Sequence, residues 1–244
     1  EDIDRIEVIS GPGGALWGAN AVNGVINIIT KSAKDTQGAY VEEGGGNQLD
    51  DLTGARYGGS ISPNTYYRVY GKYVDRVGEV MTDGAPGLDA WRQGRGGFRI
   101  DSDLSSSKAL TVKGDFYEGY ENEPTGGAAT TSGANLLGRW SRRFSDDSDM
   151  SLQSYIDRTH LIDPEPALML GALQLAPPGP LQDDLTTYDI DFQDRFGAGA
   201  YHRIEWGLGF RRTHDAVVDA PGLAVLPNVL DQNLYSTFVQ DEIL

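Results

Sequence analysis

The sequence predicts an all-β fold, a partial and open antiparallel transmembrane β-barrel with a small separate segment ahead of it. Three observations predict it. From residue 38 onward, apolar and polar residues alternate with period two in segment after segment, as in strands with one apolar and one polar face. Short polar turns alternate with long links, the connection pattern of barrels whose turns are tight on one side of a membrane and whose loops are long on the other. No run of eighteen apolar residues occurs, so no helix of this chain spans a bilayer, whereas a barrel strand needs only one apolar face.

The first element is Glu1 to Lys31, EDIDRIEVISGPGGALWGANAVNGVINIITK. Ile3, Ile6 and Val8 form an apolar lead-in. Gly11-Pro12-Gly13-Gly14 and Gly18-Ala19-Asn20 then punctuate a tight segment, where glycine permits positive φ and Pro12 sets its own φ and gives up a donor. Val25 to Thr30 reads as a strand apolar on both faces, interrupted only by Asn27, and such a strand belongs inside a packed globule. Two phosphate-binding patterns fail here. Gly13 to Gly18 has P-loop spacing, but Ala19-Asn20 stands where Lys and Ser or Thr would hold phosphate and magnesium. Gly11-Pro12-Gly13 lacks the third glycine of a dinucleotide fingerprint.

This stretch resembles the C-terminal end of the plug domain of TonB-dependent outer-membrane receptors. The resemblance is carried by Ile6-Glu7-Val8-Ile9, Gly11-Pro12, Ala15-Leu16, Gly18-Ala19-Asn20-Ala21 and Gly24 through Lys31. Ser10 stands where the family usually has Arg, and Gly14 where it has Ser or Thr. In relatives that Arg is expected to pair with acids on the inner barrel wall, a contact the resemblance does not carry over to Ser10. The resemblance implies a small α+β plug domain, of which Gly11, Pro12, Gly18, Asn20, Gly24 and Asn27 are structural positions. It also implies an importer of a scarce nutrient, most often an iron chelate, sometimes cobalamin, another metal complex or a sugar. Such a protein sits in the outer membrane of a Gram-negative bacterium, needs no cofactor and catalyses no covalent change. Its energy comes from TonB pulling on an N-terminal segment not included in this sequence.

Ser32 to Gly38 is polar and reads as a linker, which divides the chain into residues 1–37, the end of the plug with its linker, and 38–244, the N-terminal portion of the barrel. In the strands that follow, Tyr67, Val69, Gly71 and Tyr73 oppose Arg68, Lys72 and Arg76. Phe98, Ile100 and Leu104 oppose Arg95, Arg99, Asp101 and Asp103; Leu110, Val112 and Phe116 oppose Thr111, Lys113, Asp115 and Tyr117. Leu136, Gly138 and Trp140 oppose Asn135, Arg139, Ser141 and Arg143. Tyr188, Ile190 and Phe192 oppose Asp189, Asp191, Gln193 and Arg195; Ile204, Trp206, Leu208 and Phe210 oppose Arg203, Glu205 and Arg211. The charged face suits a wet lumen, because a mid-depth Lys or Arg facing lipid costs about 2–4 kcal/mol. Arg68, Lys72, Arg99, Arg139 and Arg211 are the lumen-wall residues this assigns. The apolar face suits either lipid or a sandwich core, and the connections favour lipid.

Tight turns fall at Ser62-Pro63-Asn64, Ser105-Ser106-Ser107, Ser145 to Ser148 and Gly197 to Ala200. Long links fall near 77–91, 118–133, 161–184 and 215–231. The link 161–184 is apolar and Pro-rich, a self-packed loop with a helical turn near Ala167 to Leu173 or a lid over a ligand. About ten strands fit between 38 and 244, against about 22 in the large plugged transporter barrels, so the wall is expected to stay open.

Composition narrows the function. A net charge of −16 argues against a nucleic-acid partner, and the absence of cysteine excludes disulfides and thiol chemistry. The long links carry no Lys or Arg but include Glu79, Asp83, Glu121, Asp163, Glu165, Asp183, Asp215 and Asp219. These are solvated acids that meet lipopolysaccharide through divalent cations, or a field that concentrates cationic or metal-bearing ligands at the mouth. His160, His202 and His214 lack the spacing of a zinc helix site. His160 near Asp157 and Asp163, and His214 near Asp215 and Asp219, keep open a ten-stranded outer-membrane protease as the enzyme-class rival. A soluble all-β binding protein, with a core between two sheets, is the other.

Overall fold

The computed structural model describes residues 2–11, 23–82, 84–85, 87–123, 127–199 and 201–243. An antiparallel pair, β1 (Ile3–Ser10) and β2 (Gly24–Thr30), comes first, followed by a single 3-10 turn at Lys34–Thr36. Then come β3 (Gly38–Gly44), β4 (Leu49–Ser62), β5 (Thr65–Arg76), β6 (Trp91–Ser105), β7 (Lys108–Asn122), β8 (Ala128–Ser145) and β9 (Ser148–Glu165). A small hairpin of β10 (Leu168–Leu170) and β11 (Leu173–Ala176) precedes β12 (Gly179–Ala198), β13 (His202–Val218) and β14 (Val229–Ile243).

The long strands form one ten-stranded sheet in the order β3-β4-β5-β6-β7-β8-β9-β12-β13-β14, every strand antiparallel to its sequence neighbour in the sheet. It is a meander, and among the described residues β3 and β14 each have one partner, so the sheet is open. Residues directly opposite in the ladders share a face. One row therefore runs Gly58, Arg68, Arg99, Lys113, Leu137, Tyr155, Asp189, Arg211 and Leu234. The N-terminal segment lies on this face, called inner below. The alternate residues, including Tyr67, Tyr73, Phe98, Phe116, Trp140, Phe192, Trp206 and Phe210, fall on the opposite, outer face.

Burial runs opposite to that of a soluble domain. No large side chain among the described residues is fully buried, while Val69, Phe116, Leu136, Ile190 and Leu208 on the outer face are 45–64% exposed. A two-sheet sandwich would bury those residues against a second sheet. The single sheet removes the soluble-sandwich rival.

Two sequence expectations are corrected. The links are shorter than read: β7 runs to Asn122 and β8 begins at Ala128, β9 reaches Glu165, and β13 runs to Val218. A bilayer is crossed by about 9–11 tilted residues, whereas β12 has 20. Beyond the apolar layer the outer face need not be apolar, so in Thr130-Thr131-Ser132 or Gln182-Asp183-Asp184 the alternation disappears although the strand continues. Second, Ala167 to Leu173 holds no helical turn. Leu168–Leu170 pairs with Leu173–Ala176, and Gly171 turns the chain at φ +61°. Ile6, Val8, Ile26 and Ile28 share one face of the β1–β2 pair and are 55–69% exposed among the described residues.

Candidate functional site

The inner face joins the N-terminal segment at the middle of β4, β5 and β6. Arg68 and Arg99 stand opposite one another in the ladder, and Lys113 follows on β7. Like charges directly opposite on adjacent strands repel. They are compensated from the segment above. Asp2 pairs with Arg56, and its other oxygen lies 3.2 Å from Arg68 Nη1. Arg68 Nη1 also donates to the Lys31 carbonyl at 3.2 Å and to Thr36 Oγ1 at 3.4 Å. Arg99 Nη1 donates to Thr30 Oγ1 at 2.9 Å, while its Nε and Nη2 form a fork on Asp101 at 2.7 and 3.1 Å. Asp101 in turn accepts the Ala33 backbone N–H at 2.7 Å.

Among the plug positions, Gly11 (φ +96°) donates its N–H to the Asn23 carbonyl at 3.1 Å, closing the described end of the β1–β2 pair. A Cβ on Gly24 would lie 2.6 Å from the Ile9 carbonyl oxygen, so the ladder requires glycine there. Asn27 stands across from Glu7 and donates to its Oε2 at 3.0 Å, which explains the polar interruption of β2. Arg5 Nε holds the other Glu7 oxygen at 2.7 Å. The hydrogen bonds from Arg5 and then Asn27 keep the Glu7 carboxyl below its ordinary pKa. Pro12, Gly18 and Asn20 lie outside the described residues.

The wall positions divide into three groups. Arg68 and Arg99 belong to the cluster beneath the N-terminal segment. Lys72 pairs with Glu42 at 2.6 Å, and Arg211 with Asp189 at 2.9 Å, both ion pairs between inner-face strands. Arg139 is exposed and, with Arg143, Arg195, Asp149 and Glu205, lines a recess of about 440 Å³ at the tight-turn end of the sheet. At the long-link end, Asp183 and Asp215 are diagonal neighbours on the inner face, with Asp157 and Asp163 on β9. The acids there outnumber the bases, as the sequence suggested.

The histidines fall elsewhere. His160 pairs with Asp184 at 3.2 Å and His214 with Asp231 at 3.1 Å, all on the outer face. Asp157, Asp163 and Asp215 face the other way, so the pairing read from sequence proximity does not form. Sequence reading also passed over Asp2, Arg56, Thr36 and Gly58. Only Gly58-Gly59, a glycine pair inside a strand, could have signalled close backbone approach.

No family model matches the chain. Over 44 residues it is 54% identical to the vitamin B12 transporter BtuB of Vibrio vulnificus, covering 18% of this chain and 7% of that protein. To the vitamin B12 transporter BtuB of Photobacterium profundum it is 30% identical over 128 residues, 48% of this chain and 20% of that protein. Among solved structures, the ferric enterobactin receptor PfeA of Pseudomonas aeruginosa aligns over 99% of this chain and 42% of its own, with TM-score 0.75 at 15% identity. The siderophore receptor PirA of Acinetobacter baumannii aligns over 100% and 41%, with TM-score 0.74 at 16% identity. The copper transporter OprC aligns over 87% and 34%, with TM-score 0.69 at 15% identity. At these identities the likeness is one of fold. The aligned segments span 7–20% of the curated relatives. In its fold and in the matched stretches of sequence the chain is similar to TonB-dependent receptors of the Gram-negative outer membrane, of whose length it spans only a part.

Proposed function

We propose that residues 1–37 are the end of a plug with its linker, and that 38–244 are the first part of the surrounding barrel of a transporter. That transporter imports a scarce nutrient carried as a metal complex, an iron chelate or a relative of one. The observation that supports this reading is the seating of the N-terminal pair on the charged inner face of a sheet whose outer face is apolar and exposed. Such a sheet satisfies its backbone hydrogen bonds internally, as a bilayer requires. Members of this family transport their ligands and are not enzymes. TonB is the expected energy-coupling partner, acting through a segment outside this sequence, and lipid and lipopolysaccharide are the expected neighbours of the outer face.

The named relatives handle vitamin B12, ferric enterobactin, another siderophore and copper, so kinship alone does not select a ligand. Charge narrows the choice. The acids of the long-link end, Asp163, Asp183 and Asp215 among them, disfavour a strongly anionic chelate and favour a neutral or cationic complex. Their field reaches about 8 Å at physiological ionic strength. The test is uptake of radiolabelled cyanocobalamin, and of an anionic ferric chelate, by cells expressing the receptor that contains this chain, with and without TonB. TonB-dependent uptake of the neutral complex is expected. Uptake unaffected by loss of TonB would overturn the transport reading. Tight binding of the anionic chelate, with an association rate unchanged when Glu79, Asp163 and Asp215 are neutralised, would overturn the charge reading alone.

A further inference from the structure

The outer face of β9, β12, β13 and β14 changes character over a few residues. Ile190, Phe210 and Tyr235 stand in one ladder row, and Leu152, Phe192 and Leu208 in the next row toward the tight turns. Toward the long links, the next row holds Tyr188 and Arg212. The row after that holds Arg158, His214 and Asp231, and the one beyond holds His160 and Asp184. Successive rows on one face lie about 7 Å apart, so apolar wall gives way to charge within one step.

The six apolar and aromatic side chains of the first two rows line a recess of about 550 Å³. Two aromatic pairs frame it, Phe192 on Trp206 with ring centres 5.4 Å apart and Phe210 on Tyr235 at 5.0 Å. On a bilayer-facing wall any apolar depression meets acyl chains. What sets this one apart is the charge directly above it. A strand paired to β14 would extend the wall sideways and leave this face open.

Two carboxylates there serve four basic side chains. Asp184 Oδ1 takes Arg158 Nη2 at 3.0 Å and His160 Nδ1 at 3.2 Å; Asp231 Oδ1 takes Arg212 Nη2 at 3.2 Å and His214 Nδ1 at 3.1 Å. Each guanidinium is thus held by one Nη. Its Nε and other Nη have no partner among the described residues, and the two side chains are 66% and 54% exposed. Free guanidinium N–H groups match phosphate oxygens two at a time. The long links above carry no Lys or Arg, so these bases are concentrated on the lipid side of the rim.

We propose that this face holds one outer-leaflet lipid, with an acyl chain in the recess between the aromatic pairs and a phosphorylated headgroup on Arg158 and Arg212. Arg158 and Arg212 lie on strands two spacings apart, about 10 Å, a spread that suits a headgroup bearing two phosphates. Tyr188 and Tyr235 stand at the height where aromatic side chains mark a membrane interface. The site requires the wall to lie in the outer membrane with its long links outside; it does not require transport.

The experiment is native mass spectrometry of the receptor containing this chain, released from detergent micelles after titration with one of three probes. These are lipid A with both phosphates, the same lipid freed of phosphate, and inorganic phosphate. The wild type is expected to bind the phosphorylated lipid at least tenfold more tightly than the dephosphorylated one and to retain no inorganic phosphate. Arg158→Gln with Arg212→Gln should weaken one bound copy at least tenfold. Either substitution alone should weaken it at least threefold, which keeps the test open if the double variant fails to assemble. Leu208→Trp, which fills the recess, should weaken it at least fivefold. Arg142→Gln, on the outer face at the tight-turn end, should change it less than twofold. Equal binding of the two lipids, or no loss in either arginine variant, would overturn the headgroup contact. Unchanged binding in Leu208→Trp would overturn the chain contact, and retention of inorganic phosphate as firmly as lipid would reduce the site to an anion site. TonB-dependent uptake is a separate readout, so its loss with lipid binding intact would count only against the transport reading.

Discussion

Arg68 and Arg99 face each other directly across the β5–β6 ladder, and the N-terminal segment compensates both: Asp2 and the Lys31 carbonyl on one, Thr30 on the other. Two guanidinium groups on neighbouring strands would otherwise repel at a site largely closed to water. The seated segment offsets that repulsion.

Replacing Arg68 by alanine is therefore expected to loosen the seating. Removing one partner of a buried ion pair costs about 3–5 kcal/mol, and about 3 is expected here because Asp2 keeps Arg56. Arg68→Lys should recover only part, since an ammonium cannot reach Asp2, a carbonyl and a hydroxyl in the fork geometry of a guanidinium. Protease cleavage in residues 31–37 of the folded receptor measures this, and cleavage equal to wild type in Arg68→Ala would contradict it.

Gly24 and Gly71 are expected to respond differently to alanine. At Gly24 the new Cβ meets the Ile9 carbonyl, so β1 and β2 must separate; at Gly71 nothing lies within 4 Å. Exchange rates of the β1 amides should rise in Gly24→Ala and stay level in Gly71→Ala.

Phe192 and Gln193 are adjacent on β12 but face opposite ways. An arginine at Phe192 enters the apolar layer and should cost about 2–4 kcal/mol, whereas at Gln193 it joins a charged wall and should cost under about 1 kcal/mol. Urea unfolding from lipid vesicles separates the two. Equal costs would show the register to be off by one residue, since a single slip exchanges the faces.

Glu7 gives a pH dependence. Its folded-state pKa is depressed by Arg5 and Asn27, so its contribution is present above the ordinary carboxylate pKa and is lost as pH falls through the lower, folded value. Pairing of Glu7 with Asn27 is expected to weaken on acidification, seen as faster exchange of the neighbouring β1 amides after correction for intrinsic rates. Glu7→Gln should remove that dependence; if it persists, another group is responsible.

The period-two alternation determined the two faces of the strands it marked, because a strand with lipid on one side and water on the other must write that difference into every second residue. Tyr67 through Phe210 and Arg68 through Arg211 were separable on that ground, as were the tight turns at Ser62, Ser105 and Ser145. Where the strands leave the apolar layer, the difference between the faces vanishes, and the ends at Asn122, Glu165 and Val218 were decided only by the hydrogen-bonded ladders. The same holds for the seat of the linker. Asp2, Thr36, Gly58 and Asp101 are scattered over a hundred residues, carry no shared spacing, and meet because three adjacent strands and a folded-back linker bring them to one point. Alternation says which way a side chain points; only the tertiary structure decides what it meets there.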